Sequence, residues 1–143
     1  MKIFYTDGSA DPNPGPGGWA VIDAETKKPV LTGSDKDTTN IRMEGTALIN
    51  AIKYSGDEPV EIHTDSEFWI NVLEKWAPTW QENNWTKKSG AIKNLDLVKE
   101  LYELYQSHDV KLVWVKGHNG TELNELADRS ANYARKDQSG ASQ

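Results

Sequence analysis

Three strand-like segments follow one another before the first helical period appears, and this order leaves few folds open to the chain. "KIFYTDGS", "GWAVIDA" and "PVLTGS" are rich in bulky and β-branched residues. Strands so close in sequence pair as antiparallel hairpins. Between the first two, "DPNPGPGG" is rigid turn chemistry with no capacity for helix or ladder. After the polar loop "DKDTTN" the pattern changes to alternation. A helix, "IRMEGTALINAIKYS", has Asn40 as its cap; the strand "PVEIHTD" follows; the helix "SEFWINVLEKW" has Ser66 as its cap. The mixed stretch "APTWQENNWTKKSG" is bounded by Pro78 and leads to the helix "IKNLDLVKELYELYQS", the strand "VKLVWVKG" and the helix "TELNELADRSANYARK". Alternating strand and helix adds parallel strands, so the expected outcome is an α/β fold: one mixed sheet with helices on its faces. A single domain over residues 1–136 accounts for the chain, with 137–143 as a polar, disordered tail.

Composition narrows the function. The chain of 143 residues is 36% hydrophobic and 27% charged. It contains no apolar run long enough to span a membrane, and "MKIFYTDGSA" reads as a strand and not a leader. Without cysteine there are no disulfides and no thiolate metal sites, which fits a cytoplasmic location. The net charge of −6 argues against a phosphate-binding partner when taken alone. Locally, Lys75 to Lys99 holds five lysines against Glu82 and Asp96, a segment of +3, which widening to Glu74 and Glu100 reduces to +1.

Four acids sit where bland chemistry does not put them. Asp7 and Asp65 each end a strand with an apolar body. In an α/β sheet, ligand sites form beyond the carboxyl ends of strands, and two adjacent parallel strands ending in Asp bring two carboxylates together. Glu44 lies four residues before Leu48 and three after Ile41, on the inward stripe of its helix. Asp128 shares a face with Asn124, Ala131 and Asn132, a small and polar stripe. Carboxylates gathered in a cleft raise one another's pKa unless a cation neutralises them. As hard oxygen ligands they suit Mg²⁺ or Mn²⁺ and not zinc. Each also has a plainer reading: Asp7 and Asp65 as turn acids, Glu44 as a first-turn acid, Asp128 as a helix surface residue. Ahead of Asp128, Gly117 and Gly120 frame His118 in a loop that can move. His63 and His108 read as ordinary.

These residues resemble those of type 1 ribonuclease H, the bacterial family that cuts the RNA strand of RNA–DNA hybrids. "YTDGSADPNPGPGGWA", "TTNIRMEGTAL", "HTDSEF" and "WVKGHNGTELNELAD" are similar to its signature blocks, in order, over roughly residues 2–136. The resemblance implies a ribonuclease H-like fold: a five-stranded mixed sheet, three antiparallel strands then two parallel, with helices on both faces. It implies that Asp7, Glu44, Asp65 and Asp128 hold metal, two Mg²⁺ with substrate, Mn²⁺ being possible, and that His118 is the mobile catalytic histidine. Asp7 would be the shared ligand, Glu44 and Asp65 on the leaving-group side and Asp128 on the nucleophile side. The implied reaction is two-metal hydrolysis leaving 3′-hydroxyl and 5′-phosphate ends. Glu44 and the backbone at Gly8 and Ser9 would meet 2′-hydroxyls, Asn13 and Asn40 base edges, and Thr39 a DNA phosphate, with Asn124 positioning substrate. Residues 75–94 are similar to the family's basic protrusion, where Lys87, Lys88 and Lys93 would meet the hybrid; Trp76, Trp80 and Trp85 would either contact its sugars or pack the protrusion's base, packing being the general expectation and Trp76 the candidate contact. The implied partner is the hybrid alone, bound by a monomer, with no membrane.

Two positions depart from the family pattern. Ile41 stands where a second Asn is usual, and Glu67 where Gln is usual. Both remove polar groups suited to a minor groove, and altered affinity with intact chemistry is expected. Gln81, Glu82, Asn83 and Asn84 also dilute the protrusion, so binding with a shallow salt dependence is expected. The rival readings are a non-catalytic duplex-binding module and another metal nuclease of the same superfold acting on DNA.

Overall fold

Strand β1 (Lys2–Ala10) lies at the centre of a single five-stranded sheet ordered β3-β2-β1-β4-β5. A computed structural model describes residues 1–116 and 122–141. β2 (Gly15–Asp23) and β3 (Lys28–Thr38) extend the sheet on one side as antiparallel hairpins. β4 (Val60–Thr64) and β5 (Val110–Trp114) extend it on the other as parallel strands. Both features follow the order of the segments in the sequence, since tight turns join the first three and helical crossovers the last two.

Helix α1 (Asn40–Ser55) and helix α5 (Glu122–Ala141) cover opposite faces. Adjacent residues of β1 show this: Gly8 meets the backbone of Met43 and Glu44 in α1, while Ser9 hydrogen-bonds Asn132 in α5. Side chains alternate along a strand, so neighbours in sequence serve different layers. The main core lies on the α1 side, where Phe4, Ile62, Leu48, Ile52, Trp69 and Leu101 are fully buried. Helix α4 (Leu95–Ser107) packs on α1, and Arg42 at the head of α1 grips Asp96 with two hydrogen bonds of 3.0 and 2.7 Å. That guanidinium holds the Asp96 carboxyl down to about 2.

Several boundaries differ from the sequence reading. β1 does not stop at Asp7; it continues to Ala10 because β2 pairs with it that far, Ala10 against Gly17. β3 runs through the polar stretch read as a loop, because its ladder partners are backbone groups of β2 and its side chains are largely exposed. The cap of α1 is Thr39, whose hydroxyl accepts from the Arg42 N–H, and not Asn40. The Asn40 side-chain Oδ1 is engaged elsewhere, accepting from the Ala10 N–H at 2.6 Å. Ser66 does cap α2 (Glu67–Asn71), accepting from the Trp69 N–H. After α2 the chain makes a π-helical turn (Val72–Trp76) and passes into α3 (Ala77–Glu82). Pro78 therefore sits in a first helical turn and does not end a helix, a place where its missing N–H is harmless. α5 extends to Ala141, beyond the boundary at 136 where disorder was expected; each residue added to a formed helix gains a backbone hydrogen bond.

Candidate active site

The sheet changes from antiparallel to parallel at β1, and the two neighbours of β1 leave it at different heights. Parallel pairing with β4 ends at Tyr5 opposite His63, while pairing with β2 carries on. Two residues further along each strand, Asp7 and Asp65 stand level, where β4 has already ended. The resulting crevice is at the carboxyl ends of the parallel strands, the usual place for a ligand in such sheets.

Helix α1 brings the third acid. A side chain on Gly8 would lie 2.3–2.6 Å from the Met43 carbonyl group and the Glu44 nitrogen, so only glycine allows α1 this close to β1. With the helix docked there, Asp7, Glu44 and Asp65 each place a carboxylate oxygen within 4.8 Å of the others. Asp128 approaches Asp7 from α5, close enough for their carboxyl groups to interact directly.

Electrostatics in this group are adverse without a counter-charge. Asp7 is almost fully buried, and its pKa is pushed up to about 9, by burial first and then by the charges of Asp65 and Asp128; the Gly8 N–H, donating to Oδ1 at 2.9 Å, opposes the shift. Glu44 is pushed up to about 7 by burial and by Asp65, against a hydrogen bond from the Ser66 hydroxyl. Clustered oxygen donors that resist ionisation together fit a hard divalent cation. Cysteine is absent from the chain, and no histidine joins the group among the described residues.

The other residues singled out by sequence are distributed as follows. Asn13 Oδ1 accepts from the Asn40 N–H, which ties the proline-rich turn to the head of α1 beside Thr39. Trp76, Lys87 and Lys93 line one cavity of about 300 Å³ with Phe68, Trp80 and Ile92. Lys88 is exposed and is not among its walls. Trp85 packs edge-on against Tyr102 with Lys99 over its ring. Ile41 packs at the edge of the core, and its carbonyl accepts from Trp69 Nε1 at 2.7 Å. Asn124 is buried, its amide nitrogen 3.5 Å from the Lys116 carbonyl, joining the start of α5 to the end of β5. His118, Gly117 and Gly120 lie outside the described residues. Sequence reasoning missed Ser66 as a partner of Glu44; a serine already spent on capping α2 gives no separate signal. It also missed Arg135, which contacts Asn132.

A mixed sheet in this order, with carboxylates gathered where its pairing changes direction, defines a class: metal-dependent hydrolases of ribonuclease H-like fold. The RNase H family model matches residues 1–136, and the chain belongs to that family. A ribonuclease H of Methylorubrum extorquens (strain PA1) is 42% identical over 137 residues, covering 94% of this chain and 60% of the relative. Another, of Caldicellulosiruptor saccharolyticus, is 42% identical over 134 residues, covering 90% of this chain and 92% of the relative. Among solved structures, LC9-RNase H1, described as a type 1 RNase H with the type 2 active-site motif, is similar with a TM-score of 0.79 at 28% identity, over 96% of this chain and 74% of that one.

Proposed function

We propose that the chain is an endonuclease that hydrolyses the RNA strand of RNA–DNA hybrids, with Mg²⁺ held by Asp7, Glu44, Asp65 and Asp128. The observation that carries this reading is the meeting of three carboxylates within 4.8 Å at the splayed ends of β1 and β4, joined by Asp128 through Asp7. When bound, divalent ions supply the positive charge that an attacking water and a departing 3′-oxygen both require. The residues themselves bind and orient. Asp7, fixed by the Gly8 N–H, would be a ligand common to both sides. Glu44, steadied by the Ser66 hydroxyl, and Asp65 would hold an ion on the leaving-group side, and Asp128 one on the side of the attacking water. The water oxygen bonds to phosphorus as the P–O3′ bond breaks, and the proton the water releases is balanced by one taken up at the departing 3′-oxygen, leaving a 3′-hydroxyl and a 5′-phosphate.

Choice of RNA over DNA falls to groups that meet the 2′-hydroxyl across a shallow minor groove. The backbone at Gly8 and Ser9, with Glu44, serves this purpose. The side-chain oxygens of Asn13 and Asn40 accept backbone N–H groups within the protein, so their amide nitrogens are left to donate to acceptors on base edges. Trp76, Lys87, Lys88 and Lys93 meet the hybrid from the protrusion, the lysines at its phosphates. Among the described residues no helix is long and apolar enough to cross a membrane. A cysteine-free chain suits the cytoplasm, and the hybrid is the only partner this chemistry needs, so the proposed form is a cytoplasmic monomer.

Incubation of a labelled hybrid, a DNA duplex and an RNA duplex with Mg²⁺ or EDTA tests the reading. Cleavage is expected in the RNA strand of the hybrid alone and is lost with EDTA. A DNA-cutting relative would cleave the DNA duplex, and a binding module would cleave nothing. His118, with Gly117 and Gly120 beside it in the sequence, is proposed to carry protons at the site, since an imidazole gains and loses them near neutral pH. His118→Ala is expected to lower turnover about 100-fold and to leave the Mg²⁺-induced rise in melting temperature unchanged. Loss of that thermal response together with activity would remove His118 from the proton-carrying role.

A further inference from the structure

Behind Asp128 stands a polar relay that the metal-ligand reading leaves unexplained. Asn132 Nδ2 donates to Asp128 Oδ1 at 3.3 Å. The oxygen of the same amide accepts twice, from Ser9 Oγ at 3.1 Å and from Arg135 Nη2 at 3.3 Å. A lone asparagine can turn either end toward a neighbour. Here two donors occupy Oδ1, one from the sheet and one from the helix, so only the NH₂ end can face the carboxylate.

The frame around this relay is rigid. A side chain at Gly18 would lie 2.4 Å from the Ala131 carbonyl oxygen and from the Arg135 nitrogen, so the backbone of α5 rests directly on β2. Arg135 Nε is buried and has no hydrogen-bond partner among the described residues. A donor left in that condition costs free energy. The guanidinium is therefore held by packing and by its bond to Asn132, without an ion pair to draw it elsewhere among the described residues.

We propose that Asn132, set by Ser9 and Arg135, is a positioning residue that fixes the plane of the Asp128 carboxylate so that its remaining electron pairs are presented to the cation. The proposal rests on Asp128 being a metal ligand, as argued above. Partners behind a ligand orient it before the ion arrives, and their loss typically weakens metal binding or activity by about 10- to 100-fold. The relay also explains why the face shared by Asp128, Ala131 and Asn132 is small and polar: it is filled by one amide making three hydrogen bonds.

The test compares wild type, Asn132→Ala, Arg135→Met and Asp128→Asn. The Mn²⁺ and Mg²⁺ concentrations that half-saturate the rise in melting temperature of the free protein are measured, with kcat and KM on the hybrid. Alanine is a good helix former, so Asn132→Ala should fold. It is expected to raise the metal midpoint about 10-fold and to lower kcat, while KM for the hybrid stays within about twofold. Arg135→Met is expected to move both quantities in the same direction by a smaller factor. A merely structural tie between α5 and the sheet would lower the metal-free melting temperature without moving the midpoint. That outcome, in a wild type that cleaves and an Asp128→Asn that has lost its metal response, would overturn the role of Asn132 alone. An Asp128→Asn protein with an unchanged midpoint would overturn the site reading and this proposal with it. Should Asn132→Ala fail to fold, Arg135→Met and Ser9→Ala decide by the same midpoint.

Discussion

Asp7→Asn is expected to abolish hybrid cleavage and, in the absence of divalent ions, to make the protein more stable. The two effects have one cause. Asp7 is 8% exposed, and burial together with the charges of Asp65 and Asp128 pushes its carboxyl up to about 9 from an ordinary 3.8. An unfolded chain releases this proton near pH 4, whereas the folded metal-free protein keeps it toward pH 9. Over that window the folded state binds more protons, so stability falls as pH rises. The contribution is fully present below about 4 and is lost as pH climbs through about 9. Glu44, raised to about 7, acts with the same sign over a narrower range. Asparagine is neutral throughout and keeps the shape. At pH 8 in EDTA the variant should gain about 2 kcal/mol, roughly 5–8 °C in Tm for a chain of this size, with little gain at pH 4. Adding Mg²⁺ should raise the Tm of wild type, since binding to the folded state alone stabilises it, and should leave the variant unmoved. Loss of a shared ligand for the reacting centre should lower kcat by about 10³-fold or more. Calorimetry at both pH values, with and without Mg²⁺, reads the first pair of effects. An Asp7→Asn protein that melts below wild type at pH 8 in EDTA would show that burial of this carboxyl beside Asp65 and Asp128 is not what destabilises the metal-free site.

Much of this geometry was legible in the sequence because it follows from periodicity. The alternation of strand and helix after Asn40 predicts the parallel half of the sheet, and the register of β1 on β4 makes Asp7 and Asp65 level, although only Asp65 lies past its strand and Asp7 is inside β1. Spacing from Ile41 and Leu48 points Glu44 inward, and the polar stripe with Asn132 singles out Asp128. What stayed hidden depends on contacts between segments distant along the chain. Thr39 and Asn40 are adjacent and both suit a cap; the Ala10 N–H engages Asn40 and leaves the capping to Thr39, and no local pattern carries that information. The extension of β3 through Asp35–Thr38 is supported by backbone pairing, to which side-chain patterns are blind. Arg135 reads as one more cation on an amphipathic helix, because its meaning comes from Asn132 and from the contact with Gly18.

Gly8→Ala should damage the protein in a way that Asp7→Asn does not, losing stability and activity together. The added methyl group would meet the Met43 carbonyl carbon at 2.3 Å, the Glu44 nitrogen at 2.5 Å and the Met43 oxygen at 2.6 Å. All three are backbone atoms of α1, so no flexible side chain can yield, and the helix itself has to withdraw. Overpacking of this kind costs about 3 kcal/mol, roughly 10 °C in Tm, because Ala47, Leu48, Ala51 and Ile52 are drawn off the sheet with it. The same withdrawal carries Glu44 away from Asp7 and Asp65, and a shift of about 1 Å in a reacting group lowers turnover about 100-fold. Gly56→Ala is the matching control. Gly56 has φ 62 and ψ −127 with nothing within 4 Å of an added Cβ, so alanine there meets only the backbone preference, about 1–3 kcal/mol. Cleavage by that variant should be unchanged. Thermal melting and steady-state kinetics of the two alanine variants separate the explanations. If Gly8→Ala lowered Tm no more than Gly56→Ala and cleaved like wild type, the close approach of α1 to β1 would not be what sets the carboxylates in place.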